Sequence, residues 1–372
     1  MDLNKAVADH SKTAPQLSKA MTLSLGANRK THVLIRGDFL RKGVEVQAGT
    51  LATLHPLPAS NKPTRLELAK WLVDPANPLT ARVTVNWMWQ KYFGRGLVHT
   101  LDDFGTQGEK PSHPELLDWL ASEFIRTGWD LKAMHKQIVT SATYRQASRY
   151  RPDLVTRDPL NVLLARQSRQ RLEAETLRDV SLASSGLLSK RVGGPSVRPP
   201  QPAGISELTY AGSARWVEST GADRYRRGLY TWFQRTSPYP MLMTFDAPDG
   251  NLSCTRREKT NTPLQALTLL NDTVFVECAQ ALGKRVIEEK PDNRERLRHA
   301  FRLCLGREPA AQEQDRLQRL FAELLSMCKA KPEEAAKLAG KQLPAGMEPA
   351  EAAAWVALSR TLLNLDEFVT RE

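Results

Sequence analysis

The sequence predicts a mainly α protein: an irregular multi-helix domain with a small β appendage near the N-terminus and a long irregular, β-containing insertion around residues 187–261. Helix-capping patterns open several segments in which apolar residues recur every three or four positions. Upstream of these segments, β-branched residues are interrupted by glycine-containing breaks, which is typical of short strands. Between Gly186 and Asn261, proline, glycine and aromatic residues replace the helical pattern.

The composition indicates a basic chain that can bury a sizeable core. The 372 residues are 41% hydrophobic, and 53 Lys and Arg against 41 Asp and Glu give a net charge of +12. This excess of positive charge would attract phosphates, anionic glycans or acidic membrane surfaces. Because the chain has no run of five or six like charges, a solvated Arg-rich surface is the simpler explanation.

The sequence gives no sign of a resident metal, cofactor or membrane span. The four cysteines form no C-x-x-C pair and the haem signature C-x-x-C-H is missing, so we expect neither zinc nor haem in this chain. The P-loop, dinucleotide-binding, G-x-S-x-G and H-E-x-x-H motifs are absent. No stretch approaches 18 consecutive apolar residues and no signal peptide is visible. We therefore expect no transmembrane segment and, if Met1 is the true start, a cytoplasmic chain.

The N-terminal region is expected to form a small unit of its own. Residues 1–30 are polar and aperiodic and predict a loose arm. Residues 31–54 predict two or three short strands, and the proline-rich residues 55–63 predict a linker. We therefore divide the chain into an arm with a β appendage at 1–58 and a helical domain at 59–372.

Helices are predicted from Thr64 onward. A helix opened by Pro78 should end at Gly94, because proline suits a first helical position and glycine a C-terminal cap. Capping boxes are predicted at the pairs Thr64–Glu67, Ser112–Glu115 and Thr262–Gln265. The later helices are expected at 112–126, 130–146, within 160–185, and at 262–289, 293–305, 310–328 and 350–366, with a polar stretch at 329–349.

A first group of candidate catalytic residues lies in and after the loop that follows Gly94. Asp103 lies between glycines, and His113 and Glu115 lie at the next predicted helix start. A carboxylate and an imidazole held close together can divide the acid and base roles, so Asp103, His113 and Glu115 are a candidate acid–base set. Turn formation by Asp103 and helix capping by Glu115 are the structural alternatives.

A repeated pattern suggests ligand-binding residues on two helices. The motif P-L-x-A, followed by an asparagine eight residues after the proline, occurs at Pro78 with Asn86 and again at Pro263 with Asn271. If both asparagines face one cleft, they would contact a ligand there; coincidence combined with helix-start preferences is the alternative. Trp89, on the first of these helices, is added to the ligand-binding candidates.

A second candidate site combines acidic and basic residues ahead of a helix start. Asp246 and Asp249 lie in a loop whose spacing does not match an EF-hand, so calcium has little support. Arg256 and Arg257 precede the predicted helix start at Thr262. Basic residues ahead of a helix start attract phosphate, sulfate or an acidic sugar, which makes Arg256 and Arg257 ligand-binding candidates.

Five blocks of sequence carry a family resemblance. In chain order they read NPLTARVTVNWMWQKYFGRGLV, TLDDFGTQGEKPSHPELLDWLASEF, GWDLKAMHKQIVTSATYRQAS, RQRLEAETLRDVSLASSGLL and TRREKTNTPLQALTLLND. They resemble the C-terminal domain of planctomycete cytochrome C domain-containing proteins, a domain of unknown function, from about residue 30 to the end. Typical members would have an arginine at Trp87, so Trp87 is not taken as a site residue.

The resemblance implies architecture more than chemistry. Members are usually longer, with a signal peptide, a c-type-cytochrome-like domain and a second domain of unknown function. We therefore expect this chain to be a detached C-terminal portion of an exported parent, whose haem lies on a cytochrome domain absent here. The association of such proteins with sulfatases and polysaccharide-degrading systems implies a link to complex or sulfated glycans.

Two functions from different classes remain open. The first is a binding or scaffolding module for an anionic glycan, in contact with other domains of a longer parent. It would use the basic helix start and exposed aromatic residues such as Trp232 and Tyr239. The alternative is a hydrolase-like enzyme that uses Asp103, His113 and Glu115. Nucleic-acid binding is the weaker third hypothesis, because no recognised motif accompanies the positive charge.

Overall fold

The structure is a computed structural model that describes residues 3–13, 21–23, 30–57, 63–202, 204, 216–340 and 346–371. The described residues form 14 α-helices and four short strands, which confirms the predicted mainly α fold class. The chain divides into two compact units, Met1–Asn77 and Pro78–Glu372. The predicted domain boundary after residue 58 stays a prediction.

The first unit contains a short hairpin and two helices. Its elements are α1 (Leu3–Thr13), β1 (Thr31–Leu34), β2 (Lys42–Val46) and α2 (Arg65–Leu72). The strands pair antiparallel, with Thr31 opposite Val46, which confirms the predicted β appendage. Helix α1 lies where the sequence predicted a loose arm, and none of its residues is buried. The centre of the predicted linker, residues 58–62, lies outside the described residues.

Helix α2 begins at the predicted capping box. The backbone N–H of Thr64 donates to the Glu67 carboxylate at 2.8 Å, and Thr64 Oγ1 accepts from the backbone N–H of Leu66 at 3.2 Å. These bonds satisfy N–H groups that a helix start otherwise leaves unpaired. The buried Trp71 stacks on His55 with ring centroids 4.8 Å apart and donates Nε1–H to the His55 carbonyl at 2.7 Å. Helix α2 is thereby fixed to the end of the preceding segment.

The second unit holds the remaining helices and a two-residue strand pair. The helices are α3 (Thr80–Phe93), α4 (Pro114–Arg126), α5 (Leu131–Thr140), α6 (Ala174–Ser185), α7 (Pro240–Thr244), α8 (Pro263–Asn271), α9 (Thr273–Glu289), α10 (Asn293–Leu305), α11 (Ala311–Ala330), α12 (Pro332–Ala339), α13 (Pro349–Leu363) and α14 (Asp366–Val369). Strands β3 (Gln170–Arg171) and β4 (Thr370–Arg371) pair antiparallel. The described part of residues 187–261 is mostly irregular, with isolated bridges at Ser189–Arg226 and Val197–Thr231, as predicted, but it also contains the short helix α7, which was not predicted.

The larger core is built around α9 and α13. Trp355 and Leu358 of α13 and Leu282 of α9 are completely buried. A Cβ atom on Gly283 of α9 would lie 3.3 Å from the backbone of Trp355, so the absence of a side chain lets the two helices approach closely. Helices α6, α8, α10, α11 and α12 pack against one or both members of this pair.

A smaller core joins α3, α4 and α5. Val85 and Phe93 of α3 pack with Phe124 of α4 and Ile138 of α5, all of them buried. Helix α3 ends at Gly94, whose φ of +80° is a left-handed conformation that glycine adopts without steric cost. The predicted end of this helix is therefore confirmed.

Several predicted helices have different bounds. The sequence predicted helices over 262–289 without a boundary between them; the boundary lies at Asp272, whose carboxylate accepts from the backbone N–H of Val274 at 3.0 Å and caps α9. Helix α5 ends at Thr140 rather than residue 146, and the described structure has no α-helix between residues 160 and 173. Helix α12 lies within residues 329–349, a polar stretch for which no helix was predicted. Residues 341–345 of this stretch are not among the described residues.

Candidate functional site

The three predicted acid–base residues lie near the start of α4 but make separate contacts. Asp103 Oδ1 accepts from the backbone N–H of Gly105 at 2.7 Å, which is a local turn contact. His113 Nδ1 lies 3.0 Å from Ser112 Oγ, and Glu115 is exposed in the first turn of the helix. Within the described residues, no hydrogen bond or ion pair joins any two of these three side chains. The structure does not assemble them into one set.

The predicted capping box at the start of α4 is wrong. His113, not Ser112, is the N-cap residue, and no side chain caps this helix start. The Ser112 hydroxyl instead donates to the Leu97 carbonyl at 3.2 Å, and the Ser112 backbone N–H donates to the same carbonyl at 2.8 Å. Ser112 therefore fixes the preceding loop rather than the helix.

Asn86 lies inside the smaller core, and both polar atoms of its side chain form hydrogen bonds with the backbone. Nδ2 donates to the Val98 carbonyl and Oδ1 accepts from the Val98 backbone N–H, both at 2.9 Å. The residue is 0% exposed, and a Cβ atom on Gly96 would lie 2.8 Å from Nδ2. Asn86 thus ties α3 to the loop that follows it, and no part of its side chain reaches solvent.

Asn271 occupies a different environment from Asn86. It is the last residue of α8 and is exposed; its Nδ2 donates to the Leu267 carbonyl at 2.9 Å, and its Oδ1 accepts from Arg360 at 3.4 Å. The repeated sequence pattern therefore places one asparagine in a core and the other at a helix end. The third ligand-binding candidate on a helix, Trp89, is 5% exposed and stacks on Phe93 at 4.2 Å between centroids.

The two arginines ahead of α8 are held differently. Arg257 Nη1 lies 2.7 Å from a carboxylate oxygen of Glu175 and 3.3 Å from one of Glu173, at the start of α6. Arg256 is more exposed, and among the residues that the structure describes its nearest carboxylate, that of Glu258, lies 3.8 Å away. Arg257 therefore joins the loop to α6, whereas Arg256 faces outward.

These contacts belong to a larger polar cluster between the two cores of the second unit. We call it the basic junction, and it consists of Lys91, Gln170, Arg171, Glu173, Glu175, Arg257, Lys259 and Arg371. Lys91 at the end of α3 pairs with Glu173 at 2.7 Å. Arg371 of β4 donates to the carbonyl of Tyr92 at 2.6 Å. The junction therefore links α3 of the smaller core to α6 and the C-terminal strand.

Lys259 lies within the junction and is bonded to a neutral group. Its Nζ donates to Gln170 Oε1 at 2.9 Å, and the side chain is half-buried. A Cβ atom on Gly94 would lie 2.7 Å from Gln170 Cδ, so the Gln170 amide fits against the chain only because position 94 is glycine. The glycine that ends α3 therefore also positions the partner of Lys259.

The charges around Lys259 are predominantly positive. Burial lowers the pKa of Lys259 below its ordinary value, and the nearby cations Arg371, Lys91 and Arg171 lower it further, opposed by Glu173. The positive form of Lys259 is thus disfavoured by its surroundings. An anion placed beside it would relieve that repulsion.

Asp246 anchors the loop that carries Lys259. It accepts from the backbone N–H of Thr260 at 2.8 Å and from the Thr260 hydroxyl at 2.9 Å, and it pairs with Arg171. Burial acts to raise the pKa of Asp246, but the Thr260 hydrogen bonds and the charge of Arg171 outweigh it and lower the pKa. Asp249 instead bonds to Asn251 within its own turn. Of the two aspartates in the predicted acidic loop, Asp246 therefore has the fixed structural role.

The two regions that the sequence singled out approach each other through His99 and Arg256. Burial lowers the pKa of His99, and the charges of Arg95 and Arg256 lower it further, opposed by Glu109. Arg256 therefore acts electrostatically on the loop between α3 and α4.

Sequence reasoning missed most of the basic junction. The basic run ahead of Thr262 gave a usable signal for Arg257 and Lys259. Gln170 and Glu173 belong to one segment and Arg371 lies near the far end of the chain, and no pattern in the sequence linked these two segments. Tyr239 was expected to be exposed, but it is 1% exposed and its hydroxyl donates to the Pro200 carbonyl at 2.7 Å.

Searches for a metal cluster and a membrane span gave no positive result in the described residues. Among the residues that the structure describes, no three His, Cys, Asp or Glu side chains come together as metal ligands would. In the same part of the chain, no helix has the length and apolar character needed to cross a bilayer.

Comparison with known proteins identifies one family. Residues 64–321 match the family model of PSD1, a family of proteins of unknown function (DUF1553). This match covers more than half of the 372 residues and includes every predicted site residue. Searches of curated proteins and of solved structures found no match.

Proposed function

The chain belongs to the PSD1 family of proteins of unknown function (DUF1553), and we propose that this member is a module that binds anionic glycans. The observation that carries the proposal is the half-buried side chain of Lys259, whose ammonium group is bonded to a neutral amide and lies near three other cations and one carboxylate, that of Glu173. A bound anion offsets this repulsion, because opposite charges brought close together stabilise each other's ionised forms.

Lys259 and Arg256 have hydrogen-bond donors left for a ligand. Nζ of Lys259 has three N–H donors, and within the described residues it makes one hydrogen bond, to Gln170. The side chain of Arg256 is 48% exposed and only loosely paired with Glu258. Its planar guanidinium matches the oxygens of sulfate or carboxylate in a two-point contact.

The choice of a glycan rests on the sequence resemblance. The resemblance implies an association with sulfatases and polysaccharide-degrading systems, and sulfated or carboxylated sugars carry the anions that the junction suits. We propose accordingly that the chain serves an exported planctomycete-type system as a binding or scaffolding module. In this proposal it contacts other domains of a longer parent, and the parent's haem lies on a separate cytochrome domain.

The hydrolase alternative lacks a comparable observation. Asp103 and His113 make separate local contacts, and no hydrogen bond among the described residues joins Asp103, His113 and Glu115 to one another. The binding function is therefore the one that the site geometry favours.

Binding of dextran sulfate and of neutral dextran, measured by isothermal titration calorimetry, tests the proposal. We expect dextran sulfate to bind and neutral dextran not to bind, with an affinity that falls as salt is added. Arg256→Ala and Lys259→Gln should each weaken binding about fivefold or more, equivalent to about 1 kcal/mol. Equal binding of the two polymers would contradict the proposal.

Arg151→Ala is the matched control for these variants. Its side chain is 49% exposed, close to the 48% of Arg256, but it pairs with Asp153 away from the junction. It removes the same positive charge and should leave the affinity for dextran sulfate unchanged. If Arg151→Ala weakened binding as much as Arg256→Ala, the binding would reflect net charge and not a site.

A further inference from the structure

An exposed pair of aromatic residues lies in the irregular segment that follows α6. Trp232 and Phe233, which we call the aromatic platform, are 38% and 39% exposed. Large aromatic side chains left accessible to solvent offer a flat apolar surface to a ligand. Neither the predicted catalytic residues nor the basic junction makes use of this surface.

The platform is fixed by its surroundings. The backbone N–H of Trp232 donates to the Val197 carbonyl at 2.7 Å, and the guanidinium of Arg198 lies 4.7 Å from the centroid of the Trp232 ring. This cation–π contact holds one face of the ring. In the described part of the chain Trp232 Nε1 makes no hydrogen bond, so its donor is available to a ligand.

Phe233 connects the platform to the loop that leads to the junction. A Cβ atom on Gly250 would lie 2.7 Å from the Phe233 ring, and the φ of Gly250 is +72°. The loop can therefore pack on Phe233 only with glycine at this position. From Gly250 the chain reaches Arg256 in six residues, a distance of at most about 20 Å. The aromatic platform and the exposed arginine thus lie within reach of one extended ligand.

The charges along this path favour a polysaccharide over a nucleic acid. The exposed carboxylates of Asp249 and Glu258 belong to the same loop as the cations Arg256 and Arg257, and Glu258 lies 3.8 Å from Arg256. A nucleic acid places a negative charge on every residue and would be repelled by these carboxylates. Sugar hydroxyl groups can instead donate hydrogen bonds to them.

We propose that Trp232 is a stacking subsite for a sugar ring, so that the ligand is an extended acidic polysaccharide that spans the aromatic platform and the basic junction. This inference rests on the proposed anionic-glycan function and adds a second contact between protein and glycan, at Trp232. The apolar face of a pyranose ring lies on the exposed part of the indole, and the sulfate or carboxylate of a later unit binds at Lys259 of the basic junction and at Arg256, which precedes the junction residue Arg257 in the chain.

The experiment compares ligands of different length on two tryptophan variants. Trp232→Ala should weaken binding of long sulfated dextran oligosaccharides at least fivefold, and leave the weak binding of inorganic sulfate at the junction unchanged. Trp119→Ala is the control, because Trp119 is 51% exposed on α4 and belongs to neither surface. Trp232→Phe keeps an aromatic ring and should retain most of the affinity, which excludes misfolding as the cause of the loss.

The outcomes separate this inference from the function on which it rests. If Arg256→Ala and Lys259→Gln weaken binding but Trp232→Ala behaves like Trp119→Ala, the stacking subsite is wrong and the anion-binding function stands. If none of the variants weakens binding, both are wrong. If single-stranded DNA binds more tightly than dextran sulfate at equal salt and loses affinity with Trp232→Ala, the ligand is a nucleic acid and the inference is overturned.

Discussion

At the scale of single residues, the two asparagines show how one sequence pattern can serve two structural purposes. Asn86 satisfies both backbone groups of Val98 inside a core, whereas Asn271 is exposed at the end of α8. The local sequence places each asparagine eight residues after a proline in either case. Burial decides the role, and burial depends on which distant segment packs against the helix.

Asn86→Ala should destabilise the protein far more than Asn271→Ala. The first substitution leaves the Val98 N–H and carbonyl buried without the Asn86 partners, at a cost of about 2 to 6 kcal/mol, since each of the two unsatisfied buried groups costs roughly 1 to 3 kcal/mol. The second removes an exposed side chain and should change the free energy of unfolding by less than about 0.5 kcal/mol. Urea unfolding followed by circular dichroism measures both. Equal effects would show that the Val98 contacts do not stabilise the fold.

Asn86 is stabilised by its surroundings, whereas the positive charge of Lys259 is disfavoured by them. Burial and neighbouring cations lower the pKa of Lys259, so its charge opposes folding at any pH below its folded pKa. This cost is relieved as the pH rises through the folded pKa towards the ordinary value of 10.5. A residue whose charge destabilises the fold is typical of a binding site, where the ligand supplies the missing partner.

At the scale of helices and strands, local sequence patterns predicted where helices begin and end better than they predicted which distant residues form hydrogen bonds with them. The Thr64–Glu67 capping box and the Gly94 terminus were predicted correctly, because each depends on residues within one turn. The prediction of a Ser112–Glu115 capping box was wrong because the Ser112 hydroxyl donates its hydrogen bond to the carbonyl of Leu97, fifteen residues earlier. No local pattern could reveal such a contact.

The strand pair beside the junction was beyond prediction for the same reason. Strands β3 and β4 have two residues each and lie 200 positions apart in the chain, with Gln170 opposite Arg371. A two-residue strand has no alternating pattern to detect. The fold class followed from periodicity and capping, whereas the site depended on a convergence of distant segments.

Gly283→Ala tests the close approach of α9 and α13. Alanine normally stabilises a helix interior over glycine by about 1 kcal/mol. Here the added Cβ would lie 3.3 Å from backbone atoms of Trp355 and Val356, which cannot move without shifting a buried helix. Overpacking of this kind costs about 1 to 3 kcal/mol, so we expect a net loss of stability.

Thermal unfolding of Gly283→Ala and Gly283→Ser measures this effect as a graded series. The larger serine side chain should lower the melting temperature more than alanine does. A rise in melting temperature with alanine would show that the helices have room at this position and that helix propensity dominates.

At the scale of the second unit, two apolar cores meet at a polar boundary. The smaller core of α3, α4 and α5 and the larger core around α9 and α13 are each apolar and buried. The basic junction joins them through ion pairs and backbone contacts such as Lys91–Glu173 and Arg371 to the Tyr92 carbonyl. A boundary held by ion pairs responds to pH, whereas hydrophobic cores respond little.

Acid should therefore uncouple the two cores before the larger one unfolds. Burial acts to raise the pKa of Glu173, but the hydrogen bond from Lys91 and the nearby charges of Lys91, Arg257 and Lys259 outweigh it and lower the pKa. The stabilisation by Glu173 and Asp246 is present above their ordinary values of 4.5 and 3.8 and is lost as the pH falls through their lower folded values.

Hydrogen exchange, corrected for the intrinsic effect of pH on amide exchange rates, measures this uncoupling. As the pH falls from neutrality to below about 3.8, peptides from α3–α5 should lose protection before peptides from α9 and α13. Glu173→Gln should bring the early loss to neutral pH, because an amide cannot form the ion pairs with Lys91 and Arg257. Asp249→Asn is the control, because Asp249 bonds within its own turn and joins no two elements. The prediction is contradicted if both cores lose protection at the same pH and if Glu173→Gln and Asp249→Asn exchange at the same rates. That result would show that hydrogen bonds to backbone carbonyls, such as the bond from Arg371 to Tyr92, hold the cores together and that the carboxylates do not.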